Sequence, residues 1–488
     1  MLNKLIFTAK EVRDNEALAA KNSHCELFTL MQRAGNAVFN AWQDFNAAQT
    51  LVVVGHGNNA GDGYISASLI KQMGKQVTLC AVNPKKALTG DAAKAFKLWR
   101  DEGGEVNAYT SELLNRSDLI IDAMLGTGIT SSVRDNFAKI INEINASNKP
   151  VLSIDVPSGI SADTGQPLGI AIQASKTITF VGIKQGLTTA IGKQHCGELI
   201  FDDLNIGPAF FELATSSGTL INIKSFKKLG ARNLNSHKGT HGKLLCVGGN
   251  EGTAGAIRLS SEAALRAGAG MVKVYTHSSS VVPVSIGRPE LMVTGTNLKE
   301  ALEWASCVVI GPGLGLDEWA QKTFEEVIYY CQTNNMPLVI DADALNLLAK
   351  QASSYTLKQC VLTPHPGEAS RLLSKTIVDV ESNRFENARL CAKRYNATCV
   401  LKGAGTLIDN AENTWVCEDG NAALAVGGSG DVLTGIIGAL LAQGLNIDEA
   451  ARYGVTLHAK AGDIASERDG QRGMLPSALF SIVRQLLN

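Results

Sequence analysis

The sequence predicts a two-domain α/β protein whose parallel sheets are covered by helices on both faces. Three observations lead there. The chain has 488 residues, more than one hydrophobic core ordinarily serves. Its short apolar runs are continuous rather than alternating, which marks strands buried on both faces. Its 48 glycines gather just after those runs, where open α/β sheets bind ligands.

In chain order, the first half predicts strands at Leu51–Val54, Val77–Val82, Leu119–Ile121, Val151–Ile154 and Thr177–Phe180. Helical stretches lie between them, at Ile65–Met73, Asp91–Arg100 and Asn136–Asn145. The second half restarts the pattern with strands at Leu244–Val247, Val272–Tyr275, Cys307–Ile310, Leu338–Ile340, Val361–Leu362 and Cys399–Leu401. Between the halves, Asn205 to Arg232 is irregular and holds Gly207-Pro208 and a Ser/Thr/Gly patch at 215–219. The expected boundary is therefore near 220, giving domains 1–220 and 221–488. The halves share no convincing repeat, so the expectation is a fusion of two different α/β domains.

Composition narrows the function classes. The chain is 45% hydrophobic and 19% charged, with a formal net charge of −1, and no Lys/Arg run suggests a nucleic-acid backbone stripe. No apolar stretch reaches the roughly 18–20 residues that span a bilayer. Met1 to Arg13 mixes charges of both signs, unlike a secretory signal. Ten cysteines are scattered singly, as reduced core thiols in a cytoplasmic protein would be, and eight histidines show no metal-ligand spacing.

In the first half, Leu51–Val54 runs into Gly55-His56-Gly57-Asn58-Asn59-Ala60-Gly61-Asp62-Gly63. A turn alone explains Gly-x-Gly; the polar extension reads as a ligand loop. Three more loops follow strands: Asp122-Ala123-Met124-Leu125-Gly126-Thr127-Gly128, Asp155-Val156-Pro157-Ser158-Gly159-Ile160, and Gly182 to Gly186. Asp122 and Asp155 read either as loop caps or, with Asn59 and Ser158, as hard oxygen ligands around a monovalent cation such as K⁺.

These motifs resemble the NAD(P)H-hydrate epimerase family, a Rossmann-like domain that interconverts the R and S epimers of hydrated NADH and NADPH. The resemblance implies substrate contacts from Asn58, Asn59, Ala60, Gly61 and Asp62, from Gly126, Thr127, Gly128, Ile129, Thr130, Ser131 and Ser132, and from Asp155. It implies K⁺ at Asn59, Asp122 and Ser158. Asp155, ending a rigid strand, is the expected acid/base group. Ala60 stands where the family usually has glycine, a departure that matters if the position needs positive φ.

The second half has Gly427-Gly428-Ser429-Gly430-Asp431 opening an apolar helix. Bare glycine N–H groups and a helix start suit phosphate. A carboxylate there is costly beside phosphate, so Asp431 points to chemistry on a substrate hydroxyl. Companion loops follow other strands: Lys238 to Lys243, Gly248-Gly249-Asn250 with Thr253-Ala254-Gly255-Ala256, Gly311-Pro312-Gly313-Leu314-Gly315, Thr363-Pro364-His365-Pro366-Gly367-Glu368, and Lys402-Gly403-Ala404-Gly405-Thr406. Asp341 and Asp343 sit at another strand end; they either hold Mg²⁺ through water or cap the next helix.

The set resembles the ribokinase-like superfamily and, within it, the NAD(P)H-hydrate dehydratase family, over residues 225–488. The resemblance implies that the hydrate contacts Ala256, Gly313, His365 and Asp431. It implies that the nucleotide contacts Lys402, Gly403, Ala404, Gly405, Thr406 and Gly430, with Mg²⁺ assisting. Phosphorylating the C6 hydroxyl would turn it into a good leaving group, with Asp431 taking the proton. His365 reads either as a positioner of the nicotinamide portion or as a cap between two prolines. Fused members resemble the type that uses ADP as co-substrate. The expected whole is a cytoplasmic, homo-oligomeric repair enzyme acting on small molecules, NAD(P)H hydrates and ADP, with no nucleic-acid or membrane partner. The competing reading is a small-alcohol kinase carrying a regulatory nucleotide-binding module; a non-catalytic scaffold fits the carboxylates least.

Overall fold

A computed structural model describes residues 4–351 and 357–488. The chain forms two compact units that part between Thr219 and Leu220.

The first unit is built on seven parallel strands. Edge to edge they are Val106–Ala108, Gln76–Ala81, Gln49–Val54, Leu119–Ala123, Val151–Ile154, Lys176–Phe180 and Glu198–Asp202. Successive residues of Gln49–Val54 serve opposite cores. Val52 and Val54 pack with the Leu27–Gln43 and Asn58–Gln72 helices, and Leu51 and Val53 with Ile140, Ile141 and Ile144 of the Asp135–Ala146 helix. That two-sided burial is why the strands read as unbroken apolar runs. The chain winds outward from Gln49–Val54 to Val106–Ala108, then returns to lay Leu119–Ala123 on the other side. The reversal opens a crevice at the carboxyl ends of these two strands.

One local expectation is corrected here. The Asn58-to-Gly63 segment is not a loop; the helix begins at Asn58, a full two turns before Ile65. Asn59 to Tyr64 are buried, which the polar letters concealed.

The second unit repeats the strategy with another topology. Its strand order is Leu291–Thr294, Met271–Tyr275, Lys243–Val247, Cys307–Ile310, Leu338–Ile340, Cys360–Leu362, Thr398–Leu401, Leu407–Asp409 and Thr414–Cys417. The first seven are parallel; the last two add antiparallel. The order reverses between Lys243–Val247 and Cys307–Ile310, again beside glycine loops. The Ser429–Ala442 helix is buried on nearly every side, which its continuous apolar sequence dictates. Gly435 lets it touch the Ala254–Arg266 helix: a Cβ there would stand 2.0 Å from the Ser260 carbonyl oxygen. The helix start carrying Asp431 is thus held by close packing rather than by a loop.

Candidate active sites

The crevice of the first unit is a cavity of about 670 Å³. The Gln49–Val54 strand end supplies His56, Gly57 and Asn58, the next helix turns supply Asn59 and Asp62, and the Leu119–Ala123 strand end supplies Met124 to Ile129. Asp155 and Lys184 line the same space. Asp155 adopts φ +63° and Val181 φ +64°, left-handed conformations that cost of order 1–3 kcal/mol each outside glycine. The turn at Val181 sends the chain back from Lys176–Phe180 so that Lys184, 1% exposed, meets the strand-end carboxylate. Lys184 Nζ donates to Asp155 Oδ1 at 2.5 Å, to Thr179 Oγ1 at 3.1 Å and to the Phe180 carbonyl at 2.8 Å. Thr179 Oγ1 donates to the same Asp155 oxygen at 3.2 Å. Burial raises Asp62 well above the ordinary carboxylate range, with the Asp155 and Glu16 charges adding.

Asn59, Asp122 and Ser158 converge beside this cavity. Asp122 is wholly buried; it accepts from Ser158 Oγ at 2.6 Å, Ser158 N at 2.8 Å and Ser153 Oγ at 3.0 Å. Asn59 Nδ2 donates to the Leu125 carbonyl at 3.3 Å, while Asn59 Oδ1 is buried with no hydrogen-bond donor. Burial lifts the Asp122 pKa, its hydrogen bonds only partly opposing that. An orphaned amide oxygen beside a fully buried carboxylate fits a monovalent cation, which would satisfy the first and neutralise the second. The geometry unites the two readings of Asp122: it caps its own loop and it could also bind a cation.

The second site surrounds one lysine. Lys402 Nζ donates to Asp341 Oδ1 at 2.9 Å and lies 3.7 Å from Glu368. Asp341 Oδ2 accepts from Thr434 Oγ1 at 2.6 Å. Burial alone would lower Lys402, but the Asp341 and Glu368 charges outweigh it and raise its pKa; burial likewise opposes, and Lys402 and Thr434 outweigh, in lowering Asp341. Among the described residues Asp431 has no ion pair of its own. Burial, then the neighbouring Asp341 charge, pushes it up to about 7, and burial pushes Glu368 to about 7 as well. Gly428, the residue before the Ser429–Ala442 helix, adopts φ +90° and turns the helix start toward this cluster. Behind it, Ser429 Oγ and His458 Nε2 meet at 3.2 Å, and burial holds His458 at about 4, hence neutral.

Loops tie the remaining groups in. Gly313 O accepts from Asn250 N at 2.7 Å and Thr253 Oγ1 at 2.7 Å, fixing it beside the helix start that carries Ala256. Lys402 N donates to Pro364 O at 2.8 Å, which joins the nucleotide-type loop to His365. His365 is exposed; its Nδ1 accepts from Gly367 N at 3.0 Å, and its own N–H donates to Glu368 Oε2 at 2.8 Å. It therefore is a helix cap, with Nε2 on the exposed side chain 3.4 Å from Glu368 Oε1. Asp341 does not cap the helix that follows it; its carboxylate belongs to Lys402 and Thr434. Asp343 accepts from Gly315 N at 2.9 Å. Among the described residues, no three His, Cys, Asp or Glu side chains form a ready metal cage. Three carboxyls against one lysine nevertheless leave surplus negative charge, which fits a divalent ion arriving with phosphates and keeping its own waters.

Comparison with known proteins agrees with both geometries. Residues 27–186 match the family model described as YjeF-related protein N-terminus, and residues 244–485 match that described as NAD(P)H-hydrate dehydratase. The bifunctional NAD(P)H-hydrate repair enzyme Nnr of Escherichia coli (strain K12) is 42% identical over 489 residues, covering 99% of this chain and 94% of the relative. This chain belongs to the bifunctional NAD(P)H-hydrate repair enzyme family. A Vibrio cholerae member is 41% identical, covering 99% of this chain and 98% of the relative. The ribokinase-like fold is shared with a solved ribokinase-like superfamily protein of Enterococcus faecalis V583: TM-score 0.51, 30% identity, 56% of this chain and 95% of that one.

For this family member, the structure gathers Asn58, Asn59, Asp62, Gly126, Thr127, Gly128, Ile129 and Asp155 around one cavity. Ala60 and Gly61 are buried behind it, Gly61 against Met31, and Ala60 is ordinary helix with no positive φ. Thr130, Ser131 and Ser132 are exposed and outside the lining. Sequence reasoning missed Lys184, Glu16 and Arg384. Arg384, 2% exposed, donates at 3.1 Å to both Leu401 O and Lys402 O, holding the strand end that presents Lys402. Glu368 was visible within its motif but had no assigned role.

Proposed function

We propose that residues 1–220 exchange the R and S hydrates of NADH and NADPH, and that residues 221–488 dehydrate the S epimer with ADP as phosphoryl donor. The observation that carries the second half of this reading is Asp431: a carboxyl at about 7 on a phosphate-binding helix start. A base that titrates near neutrality can take a hydroxyl proton and is not a permanent charge facing incoming phosphates. A small-alcohol kinase would need the same base, but the family match extends over both units.

In the first site, Asp155 would accept the proton of the C6 hydroxyl, oriented by Lys184 and Thr179. Asn58, Asn59, Asp62 and Gly126 to Ile129 would hold the substrate from the cavity wall, Ala60 and Gly61 would shape the helix start, and Thr130 to Ser132 would reach it only from the exposed end of their loop. K⁺, when bound at Asn59, Asp122 and Ser158, would supply positive charge that steadies the Leu125 loop. In the second site, Ala256, Gly313 and His365 would hold the nicotinamide portion, and Lys402 to Thr406 with Gly430 the nucleotide. Asp431 would take the hydroxyl proton as the phosphoryl group arrives, and the N–H groups of 428–430 would hold the developing charge. Glu368 and Asp343 would hold Mg²⁺ through water, and the ion would screen phosphate charge.

Ten buried cysteines, none of them in a disulfide, support a reducing, cytoplasmic setting. Val282 and Ile286, each 62% exposed, support self-association, which light scattering would test. The deciding experiment gives the full chain heat-damaged NADH with ADP or ATP and follows recovery of reduced-nicotinamide absorbance. Complete recovery with ADP supports the reading. Recovery of only the S fraction removes the epimerase, and none with either nucleotide removes the dehydratase.

A further inference from the structure

Charge does not balance in the cavity of the first unit. Asp62, Asp155, Glu16 and Lys184 act on one another there, and all four line it. Half-buried His56 and Asp91 and exposed Arg13 and Lys86 complete the charged lining. Lys184 has all three N–H bonds committed, to Asp155, Thr179 and Phe180. It is therefore a fixed ammonium with no lone pair for imine chemistry, and its charge serves Asp155. Among the described residues, neither Asp62 nor Glu16 makes an ion pair.

We propose that Asp62 is the general acid of hydrate epimerisation, working against Asp155 as general base, a role that rests on the epimerase reading above. The chemistry needs both. The C6 hydroxyl proton passes to Asp155, the C6–N1 bond breaks, and its electron pair on N1 takes the proton of Asp62. The product is a ring-opened aldehyde at C6 with an N–H at N1. Rotation about C5–C6 presents the other carbonyl face. N1 then attacks C6 and returns its proton to Asp62, while Asp155 returns the other to oxygen. No electron or net proton is consumed.

The site supports this division of labour. Asp62 rises from the second turn of a buried helix, so its carboxyl is rigidly aimed, and burial together with the Asp155 charge raises it well above the ordinary carboxylate range. Burial raises Glu16 as well, and Lys184 opposes the rise at both carboxyls.

The test uses the full chain and chromatographically purified R hydrate, measuring R-to-S exchange without nucleotide, with dehydration of S hydrate as the internal check of folding. Asp62→Asn is expected to lower the exchange kcat about 10²–10⁴-fold. KM should stay within about threefold and S-hydrate dehydration should be unchanged. Asp62→Glu should recover at least tenfold over Asp62→Asn, and Glu16→Gln should cost less than tenfold. The wild-type kcat should fall on the alkaline side, a limb that Asp62→Asn lacks. Exchange by Asp62→Asn within threefold of wild type, or a loss seen only in KM, overturns the proposal. Failure of the wild type itself to exchange would overturn the epimerase reading and this role together.

Discussion

Each unit sets one lysine among carboxylates, Lys184 fully buried and Lys402 partly so, yet the two lysines serve different partners. In the first unit Lys184 lies 2.5 Å from Asp155, the group proposed for chemistry, and acts on Asp62 and Glu16 only from a distance. In the second, Lys402 lies 2.9 Å from Asp341, a group tied into the fold by Thr434, and leaves Asp431 only partly compensated. The comparison shows how a single cation sets acid/base roles. The lysine fixes one partner in place, and burial raises the other carboxyls: Asp62 and Glu16 in the first unit, and in the second Asp431 and Glu368, although Lys402 lies 3.7 Å from Glu368. Epimerisation needs a base and an acid at once, which one paired and one unpaired carboxyl supply. Phosphoryl transfer needs a base that does not repel phosphate beforehand, which an unpaired carboxyl supplies.

The largest expected effect comes from removing the unpaired base. Asp431→Asn should lower dehydration of S hydrate about 10²–10⁴-fold while ADP binding by calorimetry changes little. Lost ADP binding would mean that Asp431 serves structure instead. Next is the paired base. Lys184→Met leaves Asp155 in a largely buried site without its cation. It should cost the first unit about 3 kcal/mol, the low end for breaking such a pair because Asp155 still faces the cavity. Urea unfolding followed in that unit would read it, and an unchanged midpoint would show that the pair is not a net stabiliser.

A smaller effect appears in pH. Asp431 and Glu368 keep protons in the folded protein up to about pH 7, whereas in the unfolded chain they lose them near about pH 4. The folded state thus binds more protons between those values. Their contribution to the stability of the ligand-free second unit is fully present below about pH 4 and is lost as pH rises toward 7. Asp431→Asn should flatten that fall, and a wild-type profile already flat would contradict it. The smallest effect is expected at Ala60, where glycine should cost about 1 kcal/mol as a helix-interior change and leave exchange intact.

Much of this was legible in the sequence, and the residues show why. The strands stood out because both faces are buried, so Leu51 to Val54 had no polar letter to break the run. Asp155 and Asp431 stood out because a carboxylate after a strand, or on a glycine-rich helix start, has no packing use. The Asn58 helix start was hidden because Asn, Gly and Asp are loop letters, and only burial under the Leu27–Gln43 helix makes them helical. Lys184, and the pairing of Lys402 with Asp341, were silent for another reason. Their partners lie 29 and 61 residues away, and no periodicity links residues that meet only through a turn with positive φ or across a sheet edge. Which carboxylate each lysine serves is a property of the fold.

The central claim is that Asp431 titrates near neutrality because it is buried beside the Asp341 charge, which Lys402 only partly offsets. Carbon-13 NMR of aspartate-labelled, ligand-free protein measures this directly, with Asp431→Asn assigning the resonance. The account requires a carboxyl that titrates at about 7 and disappears in the variant. An Asp431 resonance titrating near 4, as an ordinary exposed aspartate does, would contradict it.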